Sequence, residues 1–135
     1  MIKLSESVSK SSVSRRLIEL VNLRVSQVNG CGLCADMHWR FLTEQGADPR
    51  HVNALAGWRE APFFSAFERA ALAWADAVNA LPQRDDTEHA YRELREHFNE
   101  TQIAELTYGI VAIRGWNILN LSLKTQIPEQ PAPGL

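Results

Sequence analysis

A chain of 135 residues is the size of one ordinary domain and is long enough to bury a core. With 45% hydrophobic and 22% charged residues it has the composition of a globular protein. A net charge of −2 excludes long-range attraction to nucleic acid or to acidic membranes, and no run is apolar and long enough to span a bilayer. The stretch from Met1 to Lys10 has no apolar signal core, so a cytoplasmic protein is expected.

Residues 1–13, rich in Ser and Lys, read as an N-terminal arm outside the core. A first helix is expected from about Ser14 to Asn29. Leu17, Leu20, Val21, Val25 and Val28 recur there at helical spacing, and Gly30 marks its stop. A second begins near Cys31 and ends before Gly46, with Ala35, Trp39 and Leu42 as its buried stripe. Asp48-Pro49 starts a short third helix, proline being tolerated at the first position, with Val52, Leu55 and Ala56 as the apolar face.

Ser65 with Glu68 three residues on reads as a capping box for a fourth helix that Pro82 stops. Its inward residues include Phe67, Ala71, Leu72, Trp74 and Val78. A fifth spans about 87–98, and Asn99 with Gln102 caps a sixth that reaches about Lys124. That last helix is apolar around nearly its whole circumference, as Tyr108, Val111, Ile118 and Leu121 illustrate. Such a helix is buried on most sides, and in a chain this small that points to a subunit interface. Residues 125–135, rich in proline, form an expected tail. No segment alternates as a strand does. The expected fold is all-α, about six helices over residues 14–124.

Chemistry concentrates in one place. Cys31 and Cys34 are the two cysteines of the chain, and His38 follows the second by four residues. On a helix that spacing sets His38 beside Cys34. Cys31 lies near the helix start, where unpaired N–H groups and the macrodipole favour an anion. An imidazole there takes the Cys34 proton or returns one to a leaving group. The pattern suits a Cys34 thiolate that attacks an oxidant such as a peroxide, giving a sulfenic acid that Cys31 resolves to a disulfide. A zinc site is disfavoured, because a structural site usually has four protein ligands and no second cysteine pair exists. His51, His89 and His97 show no ligand spacing to the pair. A permanent staple is disfavoured too, since bridging near neighbours removes little chain entropy. An inert buried pair is the plain alternative.

The stretch Leu17 to Cys34, followed by His38, resembles the core of the AhpD-like alkylhydroperoxidases of the carboxymuconolactone decarboxylase superfamily. Supporting matches are Trp58 to Pro62, Glu68 to Trp74 and Ala112 to Asn117, so the resemblance covers roughly residues 14–123. It implies an all-helical fold assembled as a homo-oligomer, trimer or hexamer. It implies a peroxidatic Cys34, a resolving Cys31, and a proton relay through Glu19 and His38. It implies a thiol-dependent peroxidase acting on organic hydroperoxides or hydrogen peroxide. No metal or cofactor is expected, and the partners are the peroxide and a dithiol reductant or adaptor protein. One position departs: where well-known members carry a second histidine just before the second cysteine, this chain has Leu33, which cannot relay protons. The alternatives are a CxxC redox switch or chaperone without turnover, and a decarboxylase-like enzyme, whose chemistry needs no paired thiols. Arg59 and Arg114 read as ion-pair residues or as contacts to an anionic partner.

Overall fold

The computed structural model describes residues 1–131 and is all-helical, with no strand among them. Seven α-helices run in chain order: α1 Ile2–Ser9, α2 Arg15–Asn29, α3 Gly32–Glu44, α4 Pro49–Asn53, α5 Ala66–Asn79, α6 Thr87–Arg95 and α7 Glu100–Ser122. A short 3₁₀ helix, Ala54–Gly57, continues α4.

Most boundaries follow from local chemistry. The Ser14 hydroxyl accepts from Leu17 N–H and starts α2. Ser65 with Glu68, and Asn99 with Gln102, form reciprocal capping boxes at α5 and α7. Asp48 caps α4, with Pro49 in the first position. At the end of α2, Gly30 takes a left-handed φ of 74°. Its N–H bonds to Gln27 O and that of Cys31 bonds to Ser26 O, the paired closure that reverses the chain. This turn delivers Cys31 as the first residue of the next element.

α2 is the central element, packing on α3, α5 and α7. Leu17, Val21 and Val25 of α2 meet Ala71 and Ala75 of α5 and Leu106, Ile110 and Ile113 of α7 in one core cluster, which also holds both cysteines. On the other side of α2, Leu20 and Leu23 join Leu42, Val52, Leu55, Trp58 and Leu72 in a second cluster. Leu42, Leu55, Leu72, Leu94, Leu106 and Ile110 are wholly excluded from solvent. Cutting any of these leucines to alanine would cost about 2–5 kcal/mol.

Several sequence expectations need correction. The N-terminal segment is not an arm outside the core. Residues 2–9 form α1, which packs along α7 and buries Val8. Its Ser/Lys-rich composition hides the few apolar positions that hold it. Val28, Trp39, Ala56 and Phe67, expected on buried faces, are exposed, because among the described residues no other helix covers their sides. α7 buries Ile103, Leu106, Ile110 and Ile113 but exposes Tyr108, Val111, Ile118 and Leu121. Of the expected tail, residues 132–135 lie outside the described residues. Before them Lys124 takes a positive φ of 56° and Thr125 N–H bonds back to Asn120 O. The chain then lays Ile127 against Gly32, where an added Cβ would lie 3.0 Å from its Cδ1. Among the described residues no helix is long and apolar enough to cross a membrane.

Candidate functional site

Cys31 is the N-cap of α3, and its sulfur accepts from the Cys34 N–H at 3.3 Å. The two sulfurs are joined in a disulfide, with Cα atoms 5.4 Å apart. Both residues are buried. The difference between them is what they face. Cys34 lines a cavity of about 460 Å³, whereas Cys31 is not among its lining residues.

The cavity lies between α2, α3 and α7, and α1 closes one side of it. Its walls are mainly apolar, with Val8, Ile18, Leu33, Phe41, Ile113 and Trp116 among them. His38 and Glu19 enter the same cavity, so three of the four residues singled out in the sequence converge on it and Cys31 backs it through the disulfide. Glu19 sits on α2, 5% exposed, and reaches across to α3. His38 Nδ1 lies 2.6 Å from Glu19 Oε2, a bond in which the ring N–H donates to the carboxylate. The exposed Arg15, one turn earlier on α2, approaches the other carboxylate oxygen at 3.5 Å. Holding Nδ1 in this way fixes the orientation of the ring, with Nε2 on its other side.

Two contributions were not found from the sequence. Asn120 on α7 donates from Nδ2 to Cys34 Sγ at 3.5 Å, across 86 residues of chain. α1 and the turn after it bring Ser5, Val8, Ser9 and Val13 to the cavity wall, and Trp116 Nε1 donates to Ser5 Oγ at 2.9 Å. No local signal marks either, since both depend on where α7 passes. Leu33 lines the cavity beside Cys34 as an apolar wall.

A cluster of amides positions these parts. Asn29 exchanges hydrogen bonds with Asn79 of α5 at 3.0 Å and donates to Asn117 of α7 at 3.0 Å. Asn117 in turn donates to Ser26 Oγ at 3.1 Å. The network ties α5 and α7 to the end of α2, immediately before the cysteine turn. The arginines have other roles: Arg59 bonds Asp76 at 3.0 Å, and Arg114 donates to Leu81 O at 2.9 Å. Among the described residues no group of three or more His, Cys, Asp and Glu side chains is placed to hold a metal ion.

Comparison with known proteins agrees with this architecture. The model of the Carboxymuconolactone decarboxylase family matches residues 2–77. The chain is 32% identical over 123 residues to the uncharacterized protein YdfG of Bacillus subtilis, covering 91% of this chain and 84% of that one. A 48-residue stretch is 40% identical to alkyl hydroperoxide reductase AhpD of a Methylobacterium, covering 36% of this chain and 27% of that protein. A crystal structure from Agrobacterium tumefaciens, described as a putative antioxidant defence protein AhpD of unknown function, superposes with a TM-score of 0.88 at 35% identity. It covers 96% of this chain and 88% of that one.

Proposed function

The chain belongs to the carboxymuconolactone decarboxylase family, with the AhpD-like fold, and we propose that it is a thiol-dependent peroxidase. The observation that carries this reading is the redox-competent pair itself. A disulfide joins Cys31 to Cys34, and the second sulfur opens on an apolar cavity that also holds the His38–Glu19 pair.

In the reduced chain His38 accepts the proton of Cys34, and Glu19 holds the imidazolium that results. The thiolate attacks the terminal oxygen of a hydroperoxide, and the O–O bond breaks. The leaving alkoxide takes the proton back from His38 and departs as an alcohol, and Cys34 is left as a sulfenic acid. The Cys31 thiol attacks that sulfur and water leaves, giving the disulfide. A dithiol reductant restores both thiols by exchange and is itself oxidised to a disulfide. In the disulfide form Cys31 is the cap of α3, which sets its sulfur beside Cys34. The apolar cavity wall favours organic hydroperoxides over hydrogen peroxide.

The exposed apolar stripe of α7, Tyr108, Val111 and Ile118, supports assembly of several copies through this face. Ile118→Asp should lower the assembly state seen by light scattering. Parent and variant with the same mass would remove the oligomer from the proposal.

The test of function is peroxide consumption by the reduced protein with dihydrolipoamide as reductant. Cumene hydroperoxide should be turned over, Cys34→Ser should be inactive, and Cys31→Ser should accumulate a sulfenic acid trappable by dimedone. One stoichiometric oxidation to the disulfide without turnover would replace the peroxidase with a redox switch. Thiols that do not oxidise would leave the pair a structural role.

A further inference from the structure

We propose that Asn120 is a catalytic residue of this site: its side-chain amide donates a hydrogen bond to Cys34 Sγ and stabilises the thiolate that reacts. The proposal rests on the reading of Cys34 as the reacting thiol. Asn120 Nδ2 stands 3.5 Å from that sulfur in the oxidised state. A disulfide sulfur is a weak acceptor. Reduction leaves the donor facing an anion, and hydrogen bonds to ionised groups are roughly twice as strong as those between neutral ones. A donor aimed at the charged form favours that form.

The contact is built rather than incidental. Asn117, one turn earlier on the same face of α7, is 1% exposed and is held by Ser26 and Asn29. It sets the register of α7 against the end of α2. Residue 120 is thereby presented to the start of α3, where Cys34 lies. Leu33, also in the cavity lining, has no polar atom, and His38 is the group that takes and returns the proton, so Asn120 is the donor that stays outside the proton exchange. Among the described residues the side-chain donor to Cys34 Sγ is Asn120.

The charged and titratable groups facing the cavity are Arg15 and Glu19 from α2 and His38 from α3, while α1 and α7 bring none to its lining. An amide does not titrate, so it holds the thiolate at every pH.

The experiment reads Cys34 alone, in the reduced Cys31→Ser chain, where serine still caps α3. Iodoacetamide alkylation is followed by mass spectrometry across roughly pH 5 to 10, the span that brackets an ordinary thiol. In Asn120→Leu the midpoint of the rate profile should rise by about 0.5–1 unit, and the rate at neutral pH should fall about two- to threefold. The plateau at high pH should rise by about threefold at most, because the thiolate of a weaker acid is the stronger nucleophile. Asn120→Asp, nearly the same shape, should raise the midpoint further by setting a carboxylate beside the sulfur. Asn120→Gln, which keeps the amide, should recover part of the shift. A merely structural role predicts earlier melting with the midpoint unmoved. Midpoints of the Leu and Asp variants within about 0.2 unit of the parent would overturn the assignment. If the Leu variant does not fold, the Asp and Gln variants decide alone. Alkylation consumes no peroxide, so a shifted midpoint in a chain without peroxide turnover would keep Asn120 and reject only the peroxidase.

Discussion

Two carboxylates, the buried Glu19 and the half-buried Asp76, sit in surroundings that look alike from a distance and differ in what they can do. Each lies on a long helix, each reaches a side chain from another element, and each borders a cleft of nearly the same size, about 460 Å³ and about 450 Å³. Asp76 is saturated. Arg24 grips it with two bonds at 2.8 and 3.1 Å, Arg59 adds one at 3.0 Å and Trp58 Nε1 another at 3.2 Å. Arg24 also donates to Ala56 O, so the cluster pins α5 to α2 and to the 3₁₀ segment. Burial works to raise the Asp76 carboxyl. The hydrogen bond and charge of Arg24, with the bonds from Arg59 and Trp58, outweigh it and hold the group below its usual range. Glu19 has a histidine as its close partner and one distant, exposed arginine. Its cleft holds Cys34 of the disulfide among apolar walls, while the cleft beside Asp76 is bordered by charges such as Arg84, Asp86 and Glu93. A carboxylate bound to fixed cations holds helices together. A carboxylate bound to an imidazole can pass protons on.

Substitutions should pull the two apart. The largest effect belongs to the thiol: Cys34→Ser should abolish peroxide turnover while leaving the fold intact, as circular dichroism would show. Glu19→Gln should come next, lowering turnover at neutral pH by about 10²-fold or more, within the usual range for a lost proton-transfer partner. Asp76→Asn should do the reverse. It leaves Arg24 without its anion, so the unfolding free energy in urea should fall by about 2–3 kcal/mol, with the peroxide rate per folded molecule unchanged. If Asp76→Asn silenced turnover and Glu19→Gln only destabilised, the assignment of roles would be inverted.

A pH series sharpens the same contrast. The native Asp76 carboxyl binds its proton less readily than in the unfolded chain, so its contribution to stability is whole well above the ordinary Asp value of about 3.9. That contribution drains away as pH falls through the lower native value. The melting temperature of the parent should therefore drop faster below about pH 4 than that of Asp76→Asn. The smallest effect is expected at Gly32→Ala. The new Cβ meets only the tip of Ile127, a flexible side chain, so stability should move by less than about 1 kcal/mol in thermal unfolding.

Much of the helical frame was legible because its signals are local. The caps at Ser65 and Asn99 act within three residues, and the structure uses each as the spacing suggests; α2 begins after Ser14, where the apolar periodicity places its start. The Cys31, Cys34 and His38 cluster was legible for the same reason, since one helix start carries all three. Glu19 was different. In an amphipathic helix a glutamate reads as a solvated side chain, and only the family resemblance singled it out; its bond to His38 joins separate helices.

What the sequence determined by itself, then, is the order of helices α2 to α7, the all-α class and the thiol pair with its histidine, because capping and helical spacing act over a turn or two. Tertiary structure alone decided which sulfur opens on the cavity, which carboxylate is saturated and which is poised, that α1 closes the site, and that Asn120 reaches Cys34. Those outcomes depend on where α2, α3 and α7 cross. Crossing is set by the packing of many side chains far apart in the chain, which no local pattern records.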